Sequence, residues 1–599
     1  MTRFLVLAED GFASLALLVM VVLPLLEIIV RRLFGVGVPG SGPIVQHLTL
    51  WVGFLGAAIA ARDGKLLALA TGTFIPQGPW RRTADALAAS FGACSAVVLA
   101  WGGWQMAAIE RDTGTTIGAG IPTWVTQLVL PASFAAIALR LVWRAGPTWR
   151  DRLAASTGLW AGALFIFAPG VIEGRALWPA FVVVFAAAVA GTPLFAILGG
   201  TAALLFLHDG VTPATVLIET YSLSVSPTLP AIPLFTLAGF LLAEGRASER
   251  LLRVFRAFFG WIPGGTAVVC AVLCSFFTVF TGGSGVTILA LGGVLFPALL
   301  KDGYRERFSL GLLTASGSLG LLLPPALPLI LYAVVAQIPI EDIFIGGILP
   351  GILLTAMVAA WGVREGIVSR AGRYPFRAAE AIRSAWAAKW ELAMPGLVLV
   401  AMFSGLATAV EASALTALYA FVVQVLIHRD LSRRDLLRAF TECVTVIGGV
   451  LIILGVAVGL TNYLVGAQVP AKLLEWARGN ITSRLTFLLV LNLFLLAVGW
   501  LMEIFAAIVV VVPLIVPLGA AFGIHPVHLG IIFIANLELG FLTPLVGINI
   551  FLASYRFKRP VLEVCRAALP MMAILGIGVL IITYVPWLTT GILAWLGRA

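Results

Sequence analysis

Residues 320–331 read GLLLPPALPLIL, and residues 540–551 read GFLTPLVGINIF. The second stretch lies 220 positions further along the chain than the first, an offset that we call the repeat step. Each stretch opens on glycine, carries proline at its fifth position and lies in strongly apolar surroundings. Interrupted helices at matching places in two halves of a chain are typical of the substrate sites of transporters. The repeat therefore predicts two related halves and a binding site built from both.

The composition is that of a protein embedded in a bilayer. Of the 599 residues, 61% are hydrophobic and 11% are charged, and the mean hydropathy is +1.06. A soluble domain has about 25% charged residues, so this chain has too few charges to cover a water-facing surface of its size. Its apolar runs suit helices of about 20 residues, and not the alternating segments of about ten residues that build outer-membrane barrels. We predict an all-α, polytopic membrane protein.

The net charge of +10 comes largely from basic residues that cluster in short loops. These loops cover residues 246–256, 301–307, 364–377, 429–438 and 556–566. Lysine and arginine accumulate in the cytoplasmic loops of membrane proteins, so the charge indicates membrane topology and no nucleic-acid partner. The five cysteines show no CxxC pair and no metal spacing, and no Walker motif occurs, so we predict no bound cofactor.

The N-terminal part of the chain contains four candidate spans. They cover residues 11–30, 44–62, 87–107 and 121–143. The first is long enough to cross the bilayer, so we predict that it is retained and not cleaved as a signal peptide. The basic stretch RAGPTWRDR at 144–152 is either an ordinary cytoplasmic loop or a joint between two fused subunits, and the apolar segment at 157–170 would add a crossing.

Two pairs of short apolar arms predict re-entrant hairpins. The first pair flanks TGGSG at 281–285, and the second flanks Glu503, which lies one repeat step after Gly283. Each arm has about 15 residues, or about 22 Å of helix, which is too short for a hydrocarbon core of about 30 Å. The arms cover residues 266–280, 286–300, 486–500 and 504–518. We expect both tips to lie at mid-membrane.

The repeated stretches predict two interrupted helices, with breaks after residues 310–322 and after residues 531–542. Proline removes a backbone donor and bends a helix, and the carbonyls left free are tolerated in a membrane only where protein, water or an ion satisfies them. Free carbonyls beside hydroxyls suit a hard cation such as sodium, and helix N-termini favour an anionic group. One such break is usually a packing kink, but two matching breaks, each preceded by a matching hairpin, indicate a binding site.

Hydroxyl and amide side chains surround these breaks. Thr281, Ser284 and Thr287 lie at the first tip. We do not predict a phosphate-binding loop there, because no Lys-Ser/Thr pair ends the tip and no strand precedes it. Thr543 and Asn549 flank the second break, and Asn549 contacts either the substrate or a neighbouring helix. Asn536 is a further polar group near this break.

Four charged residues lie in apolar surroundings. Glu503 is at a hairpin tip, and intramembrane acids are functional candidates by default. Glu411 is either a functional acid, like Glu503, or the cap of a helix. Glu538 is interpreted as structural. Arg556 follows the second interrupted helix and is either an interfacial arginine or a clamp for the substrate.

The region of the repeat resembles the large membrane subunit of tripartite ATP-independent periplasmic (TRAP) transporters. The resemblance rests on AIPLFTLAGFLLAEG at 231–245, FTGGSGVTILALGG at 280–293, LLPPALPLILYA at 322–333, GLATAVEASALTALYA at 405–420 and HPVHLGIIFIANLELGFLTPLVGINIFLASYRF at 525–557. The N-terminal part is similar to the small four-helix subunit, through LWVGFLGAAIAARDGKLLAL at 50–69 and IPTWVTQLVLPASFAAIALRLV at 121–142. The chain therefore resembles a natural fusion of both membrane subunits.

This resemblance implies a mechanism and a domain plan. A periplasmic solute-binding protein would deliver an organic anion to the membrane component, and the anion would enter the cell with sodium by an elevator motion. The location would be the bacterial inner membrane, in contact with the lipid bilayer. The implied domains are a small-subunit-like domain at 1–145, a linker with an added transmembrane helix at 146–175, and a permease domain at 176–599 with inverted repeats at about 230–360 and 450–580.

The resemblance also implies ligands. One sodium would bind Thr281, Gly283 and Ser284, together with Gly320, Leu323 and Pro325 through backbone carbonyls. The second would bind Glu503, Gly540, Thr543 and Leu545. The anion would contact Ser284, Thr287, Thr543 and Asn549. Two residues depart from the family pattern, because Leu545 replaces a second proline and Ala326 replaces a serine.

Other functions are possible in principle. A stand-alone elevator carrier of carboxylates would share the same halves but need no binding protein. An intramembrane enzyme would use Glu411 and Glu503 as its acids, yet no Ser-His-Asp or paired-carboxylate arrangement stands out, so we do not predict an enzyme. A passive channel conflicts with hairpin tips that meet at mid-membrane.

Overall fold

The computed structural model describes residues 3–68, 72, 75–76, 78–405, 407–481, 483–543 and 547–598. Its regular elements are helices, with one antiparallel ribbon in which strand β1 (Thr116–Ile117) pairs with β2 (Ile121–Pro122). Ten helices of the described chain are long and apolar enough to cross a bilayer. The predicted all-α, polytopic class is confirmed.

The helices of the N-terminal part are α1 (Arg3–Phe34), α2 (Ser41–Asp63), α3 (Pro79–Thr113), α4 (Thr123–Gln127), α5 (Val129–Arg144), α6 (Trp149–Phe167), α7 (Trp178–Ala190), α8 (Leu194–His208) and α9 (Ala214–Ser224). Short 3₁₀ turns occur at Gly118–Gly120 and Pro169–Val171. The four predicted spans correspond to α1, α2, α3 and the α4–α5 pair. The predicted segment at 157–170 lies largely in α6, and its crossing of the membrane stays a prediction.

The next helices are α10 (Ala231–Glu244), α11 (Ala247–Phe259), α12 (Gly265–Thr281), α13 (Ser284–Lys301), α14 (Glu306–Ser316), α15 (Leu327–Ala336), α16 (Ile340–Val368), α17 (Ala378–Ala387), α18 (Lys389–Phe403) and α19 (Ala409–Phe421), which continues as a π-helical turn at Val422–Ile427. The last are α20 (Arg433–Gly466), α21 (Val469–Asn480), α22 (Arg484–Leu501), α23 (Ile504–Ala521), α24 (Pro526–Gly540), α25 (Ile548–Phe557), α26 (Val561–Tyr584) and α27 (Trp587–Trp595).

The first of two compact units comprises Met1–Leu234, Phe440–Ala471 and Val509–Val511. In this unit α3 packs against α5, α6, α8 and α9. Helices α2 and α20 cross where Gly56 faces Gly448, and a Cβ at Gly448 would lie 2.6 Å from the Gly56 Cα. Glycine is therefore required at this crossing for the two backbones to approach.

The second unit comprises Phe235–Ala439, Lys472–Ile508 and Val512–Ala599. Both hairpin tips and both helix breaks lie in it. The predicted domain boundaries at 145 and 175 separate the parts that resemble different subunits, whereas the two compact units are defined by packing. Fused subunits can contribute to one packing unit, so the two divisions need not coincide. Those boundaries stay predictions.

The second unit contains the repeat as two series of matching helices. Ser284 and Ile504 begin the second arms of the two hairpins, and Glu306 and Pro526 begin the helices before the two breaks, with one repeat step between the members of each pair. After the breaks the offset grows by one position, because α15 begins at Leu327 whereas α25 begins at Ile548. The chain from the start of the helix before the break to the start of the helix after it is therefore one residue longer in the second half.

The first break is longer than the sequence predicts. Helix α14 ends at Ser316, before the expected end at 322, and residues 317–326 form successive turns before α15. Gly317 and Gly320 have low helix propensity, and the ring of Pro324 clashes with a helical carbonyl four residues earlier. The expected end of the second interrupted helix at 542 is likewise corrected to Gly540.

Candidate functional site

The first hairpin turns at a pair of glycines. Helix α12 ends at Thr281, and Gly282 follows with a φ of +65°, a backbone conformation that favours glycine. Gly283 is extended and precedes α13. A Cβ at Gly282 would lie 2.9 Å from the Cβ of Leu327, so the tip rests on the beginning of α15. The first tip therefore lies against the helix that follows the first break, and a sodium ion between the tip and the break stays a prediction.

Three threonine hydroxyls join the two arms of this hairpin. Thr287, on α13, lies with its Oγ1 2.8 Å from that of Thr278 and 3.3 Å from that of Thr281, both on α12. Thr278 Oγ1 also donates to the Gly317 carbonyl at 2.8 Å, which ties α12 to the first break. Thr278 and Thr287 are fully buried. Thr287, predicted as a substrate contact, thus lies between the hairpin arms.

Sequence reasoning missed Thr278. The available signal was the spacing Thr-x-x-Thr at 278 and 281, which places both hydroxyls on one face of a helix. Its contact with Gly317, 39 residues later in the chain, depends on the fold.

Ser284 is the first residue of α13 and is almost completely buried. The N–H groups of a first helical turn have no partners within the helix and can bind an anion. Its carbonyl faces the first break, since a Cβ at Gly317 would lie 3.1 Å from the Ser284 oxygen. Ser284 can therefore serve either of its two predicted roles, as a sodium ligand or as an anion contact.

The predicted ligand residues of the first break contact different helices. Gly320 packs on α12, because a Cβ there would lie 2.8 Å from the Thr278 Cβ. The side chain of Leu323 packs on α16, 2.6 Å from the Cβ position of Gly351. Pro325 is buried and follows Pro324 through a cis peptide bond. The structure brings Gly320 to the first hairpin, whereas the described side-chain contact of Leu323 is with α16.

The second break begins with a tight turn. Thr543 donates its hydroxyl to the Gly540 carbonyl at 2.6 Å, and the Gly547 N–H donates to the Thr543 carbonyl at 3.1 Å. Gly540 packs on α22, where a Cβ would lie 2.7 Å from the Gly499 Cα. Thr543 and Gly540 are thus adjacent, as predicted ligands of one ion would be. The predicted ligand Leu545 lies outside the described residues.

Glu503 forms the N-cap of α23 at the second tip. Its Oε2 accepts a hydrogen bond from the Phe505 N–H at 3.1 Å. Capping satisfies one of the free N–H groups at the start of the helix. Glu503 is only partly buried as a residue, and capping does not exclude the predicted role as a sodium ligand.

Each interrupted helix also contacts the other half of the repeat. From the second half, Asn549 Nδ2 donates to the Thr314 carbonyl of α14 at 3.2 Å. From the first half, the Tyr332 hydroxyl of α15 donates to the Pro526 carbonyl of α24 at 2.9 Å. Asn549 is fully buried, and its Oδ1 has no partner among the described residues. Of its two predicted roles, the bond to a neighbouring helix is observed, and the free oxygen is available to a ligand.

The remaining candidates have structural contacts. Glu411 forms a capping box with Thr408, in which its Oε2 accepts from the Thr408 N–H at 2.8 Å, so the capping alternative is observed. Asn536 Nδ2 donates to Asn492 Oδ1 at 2.7 Å. Arg556 is exposed, and its stem packs over Gly292, with 3.4 Å between its Cγ and the Cβ position of that glycine. This position suits an interfacial arginine.

Comparison with known families gives two matches in one chain. Residues 181–588 match the family described as tripartite ATP-independent periplasmic transporter, DctM component. Residues 20–151 match the DctQ component of the same transporters. The two matches together cover most of the chain. The DctQ match covers the N-terminal part, and the DctM match covers the part that contains the repeat.

Curated relatives are similar over long stretches. The isethionate TRAP transporter permease protein DctMQ of Oleidesulfovibrio alaskensis is 32% identical over 483 residues, 78% of this chain and 74% of the relative. The C4-dicarboxylate TRAP transporter large permease protein DctM of Vibrio cholerae is 30% identical and covers 68% of this chain and 96% of its own length. The ectoine/5-hydroxyectoine TRAP transporter large permease protein UehC of Ruegeria pomeroyi is 30% identical over 60% of this chain and 84% of the relative. Among solved structures, the Alcanivorax borkumensis YdaH transporter covers 63% of this chain and 88% of its own, with 16% identity and a TM-score of 0.45.

Proposed function

Because this chain belongs to the tripartite ATP-independent periplasmic transporters and carries both their DctQ and DctM components, we propose that it imports small organic anions together with sodium. It is a multi-pass permease of the bacterial inner membrane. The proposal concerns the coupling ion, the substrate class, the partner and the motion.

One observation carries the proposal: the interrupted helices of the two halves are hydrogen-bonded to each other. The Asn549–Thr314 and Tyr332–Pro526 hydrogen bonds join two matching sets of elements. A site built from half-helices at a repeat interface is suited to an ion and an anion held together.

The oxygen atoms of this site suit sodium. The hydroxyls of Thr281 and Ser284 and the carbonyls of the first break would bind one ion. Glu503, Gly540 and Thr543 would bind a second, with Leu545 as a further ligand. Hard cations such as sodium prefer oxygen ligands of this kind, and a carboxylate in apolar surroundings favours a positive ion as its partner.

The N-termini of helices near the first tip would provide groups that can bind an anion. Helices α13 and α15 both begin at the first tip, and α25 contacts the tip through Leu552, which lies against Gly285. The N-terminus of a helix carries a partial positive charge and free N–H groups. We infer that the acidic group of the substrate lies here, near Ser284, Thr287, Thr543 and Asn549.

The relatives' names support a small organic acid as the substrate. They refer to isethionate, C4-dicarboxylates and ectoine, each of which carries a sulfonate or a carboxylate. These substrates share an acidic group but differ in the rest of the molecule. This agrees with a site that binds the acidic group mainly through helix ends. The periplasmic solute-binding protein would then largely select which substrate is transported.

The proposed motion is that of an elevator. Both tips and both breaks lie in one compact unit, so the ions and the anion would move with that unit as a single body. The alternative is an ion-coupled carrier of the same kind that works without a binding protein.

Reconstitution of the full chain in proteoliposomes tests these points. We expect uptake of a labelled C4-dicarboxylate or of isethionate only when an inward sodium gradient and the matching solute-binding protein are both present. Uptake with sodium but without the binding protein would support the stand-alone carrier. Equal uptake in choline chloride and sodium chloride would contradict sodium coupling.

A further inference from the structure

Two residues at matching positions of the repeat lie next to each other. Ser318, in the first break, and Glu538, on α24, are separated by one repeat step. The Ser318 hydroxyl lies close to the Glu538 carboxylate. Equivalent residues of two related halves can meet only near the local axis that relates the halves, so this pair marks that axis.

The Glu538 carboxylate is buried, and the Ser318 hydroxyl of the first break is its polar neighbour. The residue is 1% exposed and Ser318 is fully buried, with its hydroxyl donating to the Ala315 carbonyl at 3.2 Å. Neither carboxylate oxygen meets hydrogen-bond geometry with a partner among the described residues, and the nearby hydroxyl of Ser316 is also buried without one. A buried carboxylate without a partner is costly as a charge, and it is neutralised either by a proton or by a bound positive ion.

We propose that Glu538 and Ser318 bind a sodium ion between the two breaks, at a site separate from the two sodium sites described above. The carboxylate would supply the charge, and the Ser318 hydroxyl and carbonyls of residues 317–326 that the first sodium site does not use would complete an oxygen shell.

The position of this ion gives it a role in coupling. Ser318 lies two positions before Gly320, and Glu538 lies two positions before Gly540, so one ion would hold the ends of both interrupted helices. Release of the ion would loosen both breaks together. This inference rests on the proposed sodium coupling and adds a site to it.

Thermal unfolding of the purified full-length protein tests the site without transport. We expect sodium chloride, but not choline chloride, to raise the unfolding temperature of the wild type. Glu538→Gln should shift the sodium concentration for half-maximal stabilisation upward by about tenfold or more, since a factor of ten corresponds to about 1.4 kcal/mol. Ser318→Ala should shift it in the same direction, and it serves as the test if Glu538→Gln cannot be purified.

The matched control is Glu365→Gln. Glu365 is also buried, but it already accepts a hydrogen bond from Ser369 at 3.3 Å, so its variant should keep the wild-type sodium titration. If Glu538→Gln and Ser318→Ala both titrate like the wild type, the proposed site is wrong while sodium coupling stands. A change in pH dependence with an unchanged sodium titration would assign a proton to Glu538 and overturn the sodium site. A wild type that does not respond to sodium would instead contradict the proposed function itself.

Discussion

Hydroxyl groups at the ends of helices are the proposed ligands of the candidate site. Ser284 begins α13, and Thr543 follows the last residue of α24 by three positions. Each lies beside a glycine-containing turn where backbone carbonyls are not all used by helices. In the proposed sites, their small side chains would each add one oxygen ligand.

Replacement of either hydroxyl should weaken sodium binding. We expect Ser284→Ala and Thr543→Ala each to raise the sodium concentration for half-maximal uptake about tenfold, because the loss of one polar contact costs about 1 kcal/mol or slightly more. Uptake rates measured over a sodium series check this. Sodium dependence identical to the wild type in both variants would rule out the ligand assignment.

Glu411 should behave differently, because it caps α19. Loss of its carboxylate in Glu411→Ala should lower stability by about 1 kcal/mol, and Glu411→Gln should retain most of the capping box. Thermal unfolding measures the loss, and the sodium dependence of uptake should stay unchanged in both variants. A strong sodium effect with unchanged stability would restore Glu411 as a functional acid.

The sequence identifies some of these residues and misses others for a physical reason. Thr281 and Ser284 are recognisable because they flank glycines at a break in an apolar segment. The roles of Thr278 and Glu538 depend on distant partners in the first break, which no local pattern reveals. Sequence reasoning therefore interprets Glu538 as structural, although its carboxylate has no structural partner among the described residues.

Helix crossings at matching glycines are the clearest structural expression of the repeat. Gly320 packs on α12 beside Val279, and Gly540 packs on α22 beside Gly499, so one repeat step separates both the two glycines and their two neighbours. In each case an added Cβ would meet backbone atoms, which cannot move aside as a flexible side chain can.

Gly320→Ala and Gly540→Ala should each displace a hairpin arm from its break. We expect a loss of about 1–3 kcal/mol in stability, which is typical of overpacking, and a larger loss of uptake because the carbonyl positions change. Gly396→Ala is the matched control, since nothing lies within 4 Å of its Cβ position on α18. Thermal unfolding and uptake rates that match this control would show that the crossings tolerate a methyl group.

A buried ion-pair network fixes α11 to the helices around it. Arg250 binds Glu391 of α18 at 2.6 Å and Asp430, which follows the π-helical turn, at 2.7 Å. The side chains of the three residues are 9%, 0% and 9% exposed. Gln424 completes the network by accepting a hydrogen bond from Arg250 at 3.1 Å.

Removal of the arginine should be strongly destabilising. Arg250→Met leaves two buried carboxylates without this cation, and we expect a loss of about 3–5 kcal/mol in unfolding free energy. Arg559→Met is the control, because the side chains of its pair with Glu306 are 42% and 41% exposed. Such an exposed pair should contribute about 1 kcal/mol or less. Equal unfolding temperatures for the two variants would contradict a structural role for the network.

Element positions are largely predictable from sequence, whereas their ends are not. The two hairpins match their predicted arms within a few residues, because glycine and apolar length define them locally. The expected arm length of about 15 residues is too short for α13 and α23, which have 18 residues each and are long enough to cross a bilayer, so the re-entrant form of the hairpins stays a prediction. The end of α14 at Ser316 and the turn after Gly540 depend on how Gly317 and Thr543 bond within the folded turns. These bonds follow from packing and leave no simple pattern in the sequence.

At the scale of the whole molecule, the chain unites the two membrane components of a TRAP transporter in one polypeptide. Composition alone places it in the bilayer, and the repeat indicates where the site lies. The structure divides it into two compact units whose border does not follow the joint between the components, so sequence homology and packing describe different boundaries.

Simultaneous measurement of radioactive sodium and labelled anion entering proteoliposomes tests sodium coupling at the repeat interface. With the solute-binding protein present, we expect the wild type to take up sodium and anion in a fixed ratio. A Ser284→Ala, Thr543→Ala double variant should lose both fluxes at sodium concentrations that saturate the wild type. Anion uptake that proceeds without sodium entry, or an unchanged ratio and rate in the double variant, would contradict the proposed coupling.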